Sequence, residues 1–170
     1  MKFLNKIALM ICMAAFHINA DAESRTLSFF HTHTGDSLEV TYWREGGYIP
    51  EALQQLTTFL ADWRNGEQLD LDPGLFDILY RLKESTGSNG RFEIISAYRS
   101  PETNEMLRKK SNGGVARKSQ HVLGKAIDIR LSDVDTRTLY ETALELQVGG
   151  VGYYPKSNFV HVDTGRVRTW

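Results

Sequence analysis

The stretch Ser119-Gln120-His121-Val122-Leu123-Gly124-Lys125-Ala126-Ile127-Asp128-Ile129-Arg130-Leu131 decides the fold. From Gly124 it reads as a strand, and strand side chains alternate between faces. Ala126, Asp128 and Arg130 therefore share one face, while Ile127, Ile129 and Leu131 share the other. The apolar face packs on a core and leaves Asp128 pointing elsewhere. His121 precedes Asp128 by seven positions, across a turn at Gly124.

Phe159-Val160-His161-Val162-Asp163 repeats the pattern, with Val160 and Val162 on one face and Phe159, His161 and Asp163 on the other. A rise of about 3.3 Å per residue separates His161 from Asp163 by roughly 6.5 to 7 Å along the strand. One of the two can bind a metal while the other faces the same cavity. Gly152 to Tyr154 pairs with this strand as a hairpin around Pro155-Lys156-Ser157-Asn158.

Working outward, Thr26 to Phe30 and Ser37 to Trp43 form a hairpin whose turn carries His31 and His33. These two histidines could ligate metal, but no carboxylate is fixed nearby and the structural reading is preferred. Leu53, Leu56, Leu60 and Trp63 recur at helical spacing after Pro50, as do Leu75, Ile78, Leu79 and Leu82 after Pro73. Proline near the first turn suits both helices, whose stripes are core. Phe92 to Tyr98 reads as a strand, a polar helix runs from about Glu102 to Lys110, and Ser111 to Ser119 is a basic loop holding Asn112-Gly113-Gly114. Asp135 to Leu146 fits a further helix, which Gly149-Gly150 stops. The order predicts a single-domain α+β fold with a small antiparallel sheet packed by helices.

The N-terminus carries Lys2 and Lys6, the apolar stretch Ile7 to Phe16 and the small-residue ending Ile18-Asn19-Ala20, which reads as a signal peptide over residues 1–20. A transmembrane span needs about 20 apolar residues, and this run is shorter. No membrane span is expected after cleavage, which leaves residues 21–170 as the functional domain. The lone cysteine, Cys12, lies within the signal, so disulfides and cysteine chemistry are excluded from the mature chain. Of 20 basic and 21 acidic residues the signal removes two lysines, leaving a formal charge of minus 3 and no indication of a nucleic-acid partner. The sequence does not specify an oligomeric state.

Two imidazoles and a carboxylate suit zinc, and three protein ligands leave a fourth position for water. On spacing alone, His121, Asp128 and His161 read equally as two surface histidines and a turn-capping aspartate. The combined motifs decide between these. Ser119-x-His121-x-x-Gly124-x-Ala126-x-Asp128 resembles the metal motif of the D-Ala-D-Ala metallopeptidase group, which includes relatives of sonic hedgehog. Asp72-Pro73-Gly74-Leu75-Phe76-Asp77, Tyr98-Arg99-Ser100, Gly149 to Pro155 and Ser157 to Gly165 resemble the murein endopeptidase K (MepK/YcbK-like) branch over nearly the whole mature chain.

The resemblance implies a hedgehog-like α+β fold, a zinc ion on His121, Asp128 and His161, and a periplasmic enzyme acting on peptidoglycan stem peptides. Substrates in that branch are bonds from D-alanine to meso-diaminopimelate or between two diaminopimelates. Many members of the wider group place an acidic base three residues before the last histidine, where this chain has Asn158. Asp163 is then the candidate general base, its other role being to orient a ligand histidine. Arg99 is a candidate to stabilise the oxyanion, or to bind a substrate carboxylate, or to form a plain surface ion pair. Tyr153 and Tyr154 serve the core or the cleft, Tyr154 being the substrate-binding candidate. Ser119 and Gly124 shape the turn. Rival readings are a D,D- or L,D-carboxypeptidase, a non-catalytic peptidoglycan-binding relative, and an envelope protein with an incidental zinc site.

Overall fold

A computed structural model describes residues 23–111 and 115–170. The expected signal peptide and Asn112-Gly113-Gly114 lie outside the described residues. The strands are β1 Ser24–His31, β2 Ser37–Arg44, β3 Gly47–Tyr48, β4 Phe92–Ser96, β5 Ala126–Leu131, β6 Gly150–Tyr154, β7 Phe159–Asp163 and β8 Arg168–Thr169. They form one sheet in the order β3-β2-β1-β4-β5-β7-β6-β8. The helices are α1 Pro50–Phe59, α2 Gly74–Thr86, α3 Pro101–Lys110 and α4 Thr136–Leu146. Among the described residues no helix is long and apolar enough to cross a membrane.

The α+β class is as expected, but the sheet is larger and mixed. β1 runs parallel to β4, and β8 parallel to β6, while the other pairs are antiparallel. The parallel pairing follows from the crossover through α1 and α2, which returns the chain to the edge of the hairpin. β3 and β8 have two residues each, too few to show any periodicity.

The core lies on one side of the sheet. Leu27 and Phe29 of β1, Ile127 and Ile129 of β5, and Val160 and Val162 of β7 are buried with Leu75, Leu79 and Leu82 of α2. Alternation along each strand sends these apolar residues to the helices and frees the opposite face for polar groups. α1 stops at Phe59, before the end of its apolar series, and Trp63 stacks on His33 with ring centroids 4.1 Å apart. β4 ends at Ser96 and not at Tyr98, because the chain turns away through Ala97–Ser100.

That turn is anchored by Asp62, which is fully buried. Its carboxylate accepts from the backbone N–H of Ser100 at 2.9 Å and of Arg64 at 3.2 Å. Ser100 in turn caps α3 by accepting from the Thr103 N–H at 3.1 Å. Burial alone would raise the Asp62 carboxyl, but hydrogen bonds from Thr103, Ser100 and Arg64 outweigh it and hold it below the usual range. A depressed folded value contributes stability at neutral pH that is lost on acidification. Asp62→Ala should cost about 1–3 kcal/mol in urea denaturation, because it strands the buried Ser100 N–H. The difference between wild type and Asp62→Asn should shrink as the pH falls below about 4, the ordinary aspartate value.

Candidate metal centre

β5 and β7 pair antiparallel with Asp128 directly opposite His161. The alternation that buries Ile127, Ile129, Val160 and Val162 on the helix side thus sets a carboxylate beside an imidazole on the other side. His121 enters from a 3-10 turn, Gln120–Leu123. Ser119 Oγ accepts from the His121 N–H at 3.3 Å, and Gly124 closes the turn with φ of 67°. A Cβ at Gly124 would stand 2.8 Å from the Asp70 carbonyl oxygen, so the position requires glycine. The Arg99 N–H donates to the His121 carbonyl at 3.3 Å, docking this turn onto the segment after β4.

The side chains converge. His161 Nδ1 lies 2.8 Å from Asp128 Oδ1 and 3.2 Å from His121 Nε2, and His121 Nε2 lies 3.3 Å from Asp128 Oδ1. Ligands about 2.0–2.1 Å from a tetrahedral ion stand about 3.3 Å apart, so this triangle has the dimensions of one face of a zinc coordination sphere. The outer nitrogens are also engaged. His121 Nδ1 is 2.7 Å from the Ala97 carbonyl oxygen, and His161 Nε2 is 3.0 Å from Asp163 Oδ2. With each outer nitrogen donating its N–H to that oxygen, loss of the inner protons to an incoming cation would leave His121 Nε2 and His161 Nδ1 as lone pairs beside Asp128. Three buried acceptors aimed at one point fit a cation. Burial alone would lower the His161 imidazole, but hydrogen bonds to Asp128 and Asp163 outweigh it and raise it to about 8. Asp128 is held well below the usual carboxylate range, with burial outweighed by His121 and His161.

Asp163, expected as the general base, stands behind His161 and does not line the cleft. It is fully buried, and both carboxylate oxygens are occupied. Oδ1 accepts from the backbone N–H of Gly150 at 3.1 Å and of Gly165 at 2.8 Å, and from Arg168 Nη1 at 3.0 Å. Oδ2 accepts from Arg168 Nη2 at 2.6 Å and from His161. Burial would raise this carboxyl, yet His161, Arg168 and Gly165 hold it well below the usual range. A carboxylate so saturated, and outside the cleft lining, is placed to orient His161. Asn158 supplies no base, since its side-chain oxygen accepts from Thr136 away from the cluster.

Arg99 lies beside the triad, with Nη2 4.0 Å from Asp128 Oδ2. Shorter contacts of 3.3 Å to Asn104 Oδ1 and 3.4 Å to Ser96 Oγ steady the guanidinium, and its buried Nε has no hydrogen-bond partner among the described residues. Burial lowers its pKa, Asp128 opposing. A cleft of about 390 Å³ opens over these groups, and Tyr154, Phe159, Arg168 and Trp170 form its other wall. Tyr154 is thus in the cleft, whereas Tyr153 stacks on Tyr140 of α4 with centroids 4.9 Å apart.

Arg168 and Trp170 escaped the sequence reading, which stopped at Gly165. The signal was Gly149-Gly150: a Cβ at Gly149 would collide with the Asp163 carbonyl oxygen, and one at Gly150 would lie 2.5 Å from Asp163 Oδ2. His31 and His33 stay apart from the triad. His31 lines a larger groove of about 510 Å³ with Leu38, Phe59 and Trp63, which shares no residue with the metal centre.

The family model described as peptidoglycan L,D-endopeptidase MepK matches residues 19–170. The peptidoglycan L,D-endopeptidase MepK of Escherichia coli strain K12 is 41% identical over 163 residues, which is 96% of this chain and 89% of that protein. The probable peptidoglycan L,D-endopeptidase MepK of Haemophilus influenzae is 42% identical over 147 residues, covering 86% of this chain and 78% of that protein. No solved structure matches the chain. A match of this extent, over a site with this geometry, means that the chain belongs to the peptidase family of the peptidoglycan L,D-endopeptidase MepK.

Proposed function

We propose that the chain is a zinc-dependent endopeptidase, secreted to the periplasm, that opens peptide cross-links of peptidoglycan. The observation that carries this reading is the convergence of His121 Nε2, Asp128 Oδ1 and His161 Nδ1, with both outer imidazole nitrogens already engaged. Relatives named L,D-endopeptidases cut between an L- and a D-configured centre. Of the two cross-links considered, the bond between two diaminopimelates is of that kind, while D-alanine to diaminopimelate joins two D centres. The diaminopimelate–diaminopimelate bond is therefore the proposed substrate.

Zinc held by these three residues would supply a water of pKa about 7 and a Lewis acid for the scissile carbonyl. The protein supplies orientation and charge. Asp163 holds His161 in one tautomer and one ring orientation, and Arg168 holds Asp163. Arg99 presents a fixed guanidinium from the β4 side, where it stabilises the negative charge that develops on the carbonyl oxygen. Because that cation is already buried and held, little reorganisation is needed as the charge appears.

Incubating the mature protein with zinc and cross-linked muropeptide dimers should convert dimer to monomer, resolved by chromatography, while Asp128→Ala binds no zinc and converts nothing. Shortening of monomers with dimers left intact would replace the proposal with a carboxypeptidase, and zinc binding without any product would replace it with a binding module. Asp163→Asn should weaken zinc binding about 10–100-fold by competition with a chelator dye. Full zinc affinity with no turnover in that variant would return the general-base role to Asp163.

A further inference from the structure

We infer that Trp170 fixes the hydroxyl of Tyr154 so that its phenolic proton is reserved for an oxygen of the bound substrate, making Tyr154 a substrate-positioning donor and Trp170 the residue that aims it. The inference rests on the endopeptidase reading of the cleft. β6 alternates like its neighbours: Val151 and Tyr153 face the core, and Gly150, Gly152 and Tyr154 face the metal side. Gly152 leaves room for the Trp170 indole, which a Cβ there would approach to 2.6 Å. The indole lies beside the His161 ring, with centroids 5.1 Å apart, and its Nε1–H reaches Tyr154 Oη at 2.8 Å.

An indole nitrogen only donates, so Tyr154 Oη is the acceptor in this bond and its own proton must go elsewhere. No protein group takes that proton among the described residues. Stacking on Phe159, with centroids 4.4 Å apart and planes 14° apart, holds the phenol ring in place. The result is an oriented donor in the cleft wall that water serves until a ligand oxygen replaces it.

Sheet order brings this donor into the cleft from the side opposite Arg99, although the two line one cleft and the phenol acts electrostatically on Arg99. Arg99 follows β4 and Tyr154 ends β6, so they flank the β5–β7 pair that carries Asp128 and His161 from opposite sides. With Arg99 serving the carbonyl that reacts, Tyr154 meets an oxygen further along the stem peptide, a carbonyl or carboxylate whose charge does not change. Such a contact is made equally in ground and transition states, so its loss appears in KM and not in kcat.

The test is steady-state kinetics of zinc-loaded protein on diaminopimelate-cross-linked muropeptide dimers. Trp170→Phe keeps a ring over Gly152 and removes the donor, and Tyr154→Phe keeps the stacking and removes the hydroxyl. Each should raise KM about five- to tenfold, the loss of one hydrogen bond, with kcat and zinc affinity within about twofold of wild type. The double variant should be no worse than either single one. Wild-type KM in Trp170→Phe, fully additive losses in the double variant, or a fall in kcat with KM unchanged would each overturn the assignment. Should the wild type convert no dimer, the endopeptidase reading itself fails. Calorimetric affinity for the same dimers then decides this inference, weaker binding in both single variants supporting it and unchanged binding ending it.

Discussion

The register between β5 and β7 is the constraint on which the rest of the molecule depends. Because strand side chains alternate, a slip of one residue would carry Ile127 or Ile129 to the metal face and bury Asp128 among leucines. Core and site therefore enforce one another. The apolar residues Ile127, Ile129, Val160 and Val162 select the register by packing on α2 and α4, and the same register sets Asp128 across from His161 without further instruction. The third ligand comes from outside the sheet, and its placement costs more sequence: Ser119 to open the turn, Gly124 to close it, and the Ala97 carbonyl to receive the imidazole N–H.

Holding three acceptors together in a buried place is unfavourable unless what surrounds them is satisfied. The chain meets this in layers. Each histidine hands its outer proton to an oxygen, and the charged one of those oxygens, on Asp163, is answered by the two-pronged Arg168 and by two backbone N–H groups. A carboxylate with no such partners in that position would be an isolated buried charge. Arg168 can reach it only because Gly150 carries no side chain, while Gly149 lets the backbone pass against the Asp163 carbonyl. The glycine pair that ends the sequence pattern of α4 thus also allows the strand after it to pass close to the site.

What was legible in the sequence was whatever repeats. The two-residue period of β5 and β7 identified both strands, their buried faces and the sides on which Asp128 and His161 stand. The helical spacing after Pro50 and Pro73 gave α1 and α2. What was not legible arises from contacts between distant segments. β3 and β8 are too short to carry a period, the parallel pairing of β1 with β4 depends on how the chain returns after two helices, and Trp63 left its predicted helix to stack on His33. Asp163 shows the limit most clearly. Its position on the metal face could be read from alternation, but its role turned on Arg168, five residues later, whose reach back to it is a property of β8 pairing with β6.

That pairing has an electrostatic consequence for the cleft. Arg168 neutralises Asp163, and among the described residues Asp128 is the one carboxylate that lines the cleft, while Arg99 and Lys118 also line it. The two cations outnumber Asp128, and a divalent ion held by the triad would add further positive charge. The chain as a whole carries a formal net charge of -1. A local positive potential on an acidic body draws an anionic peptide toward the cleft and away from the remaining surface. The stem peptides of peptidoglycan bear free carboxylates, so the same ion pair that orients His161 also leaves the cleft with the sign of charge its proposed substrate requires. An Asp163 without Arg168 would cancel part of that field.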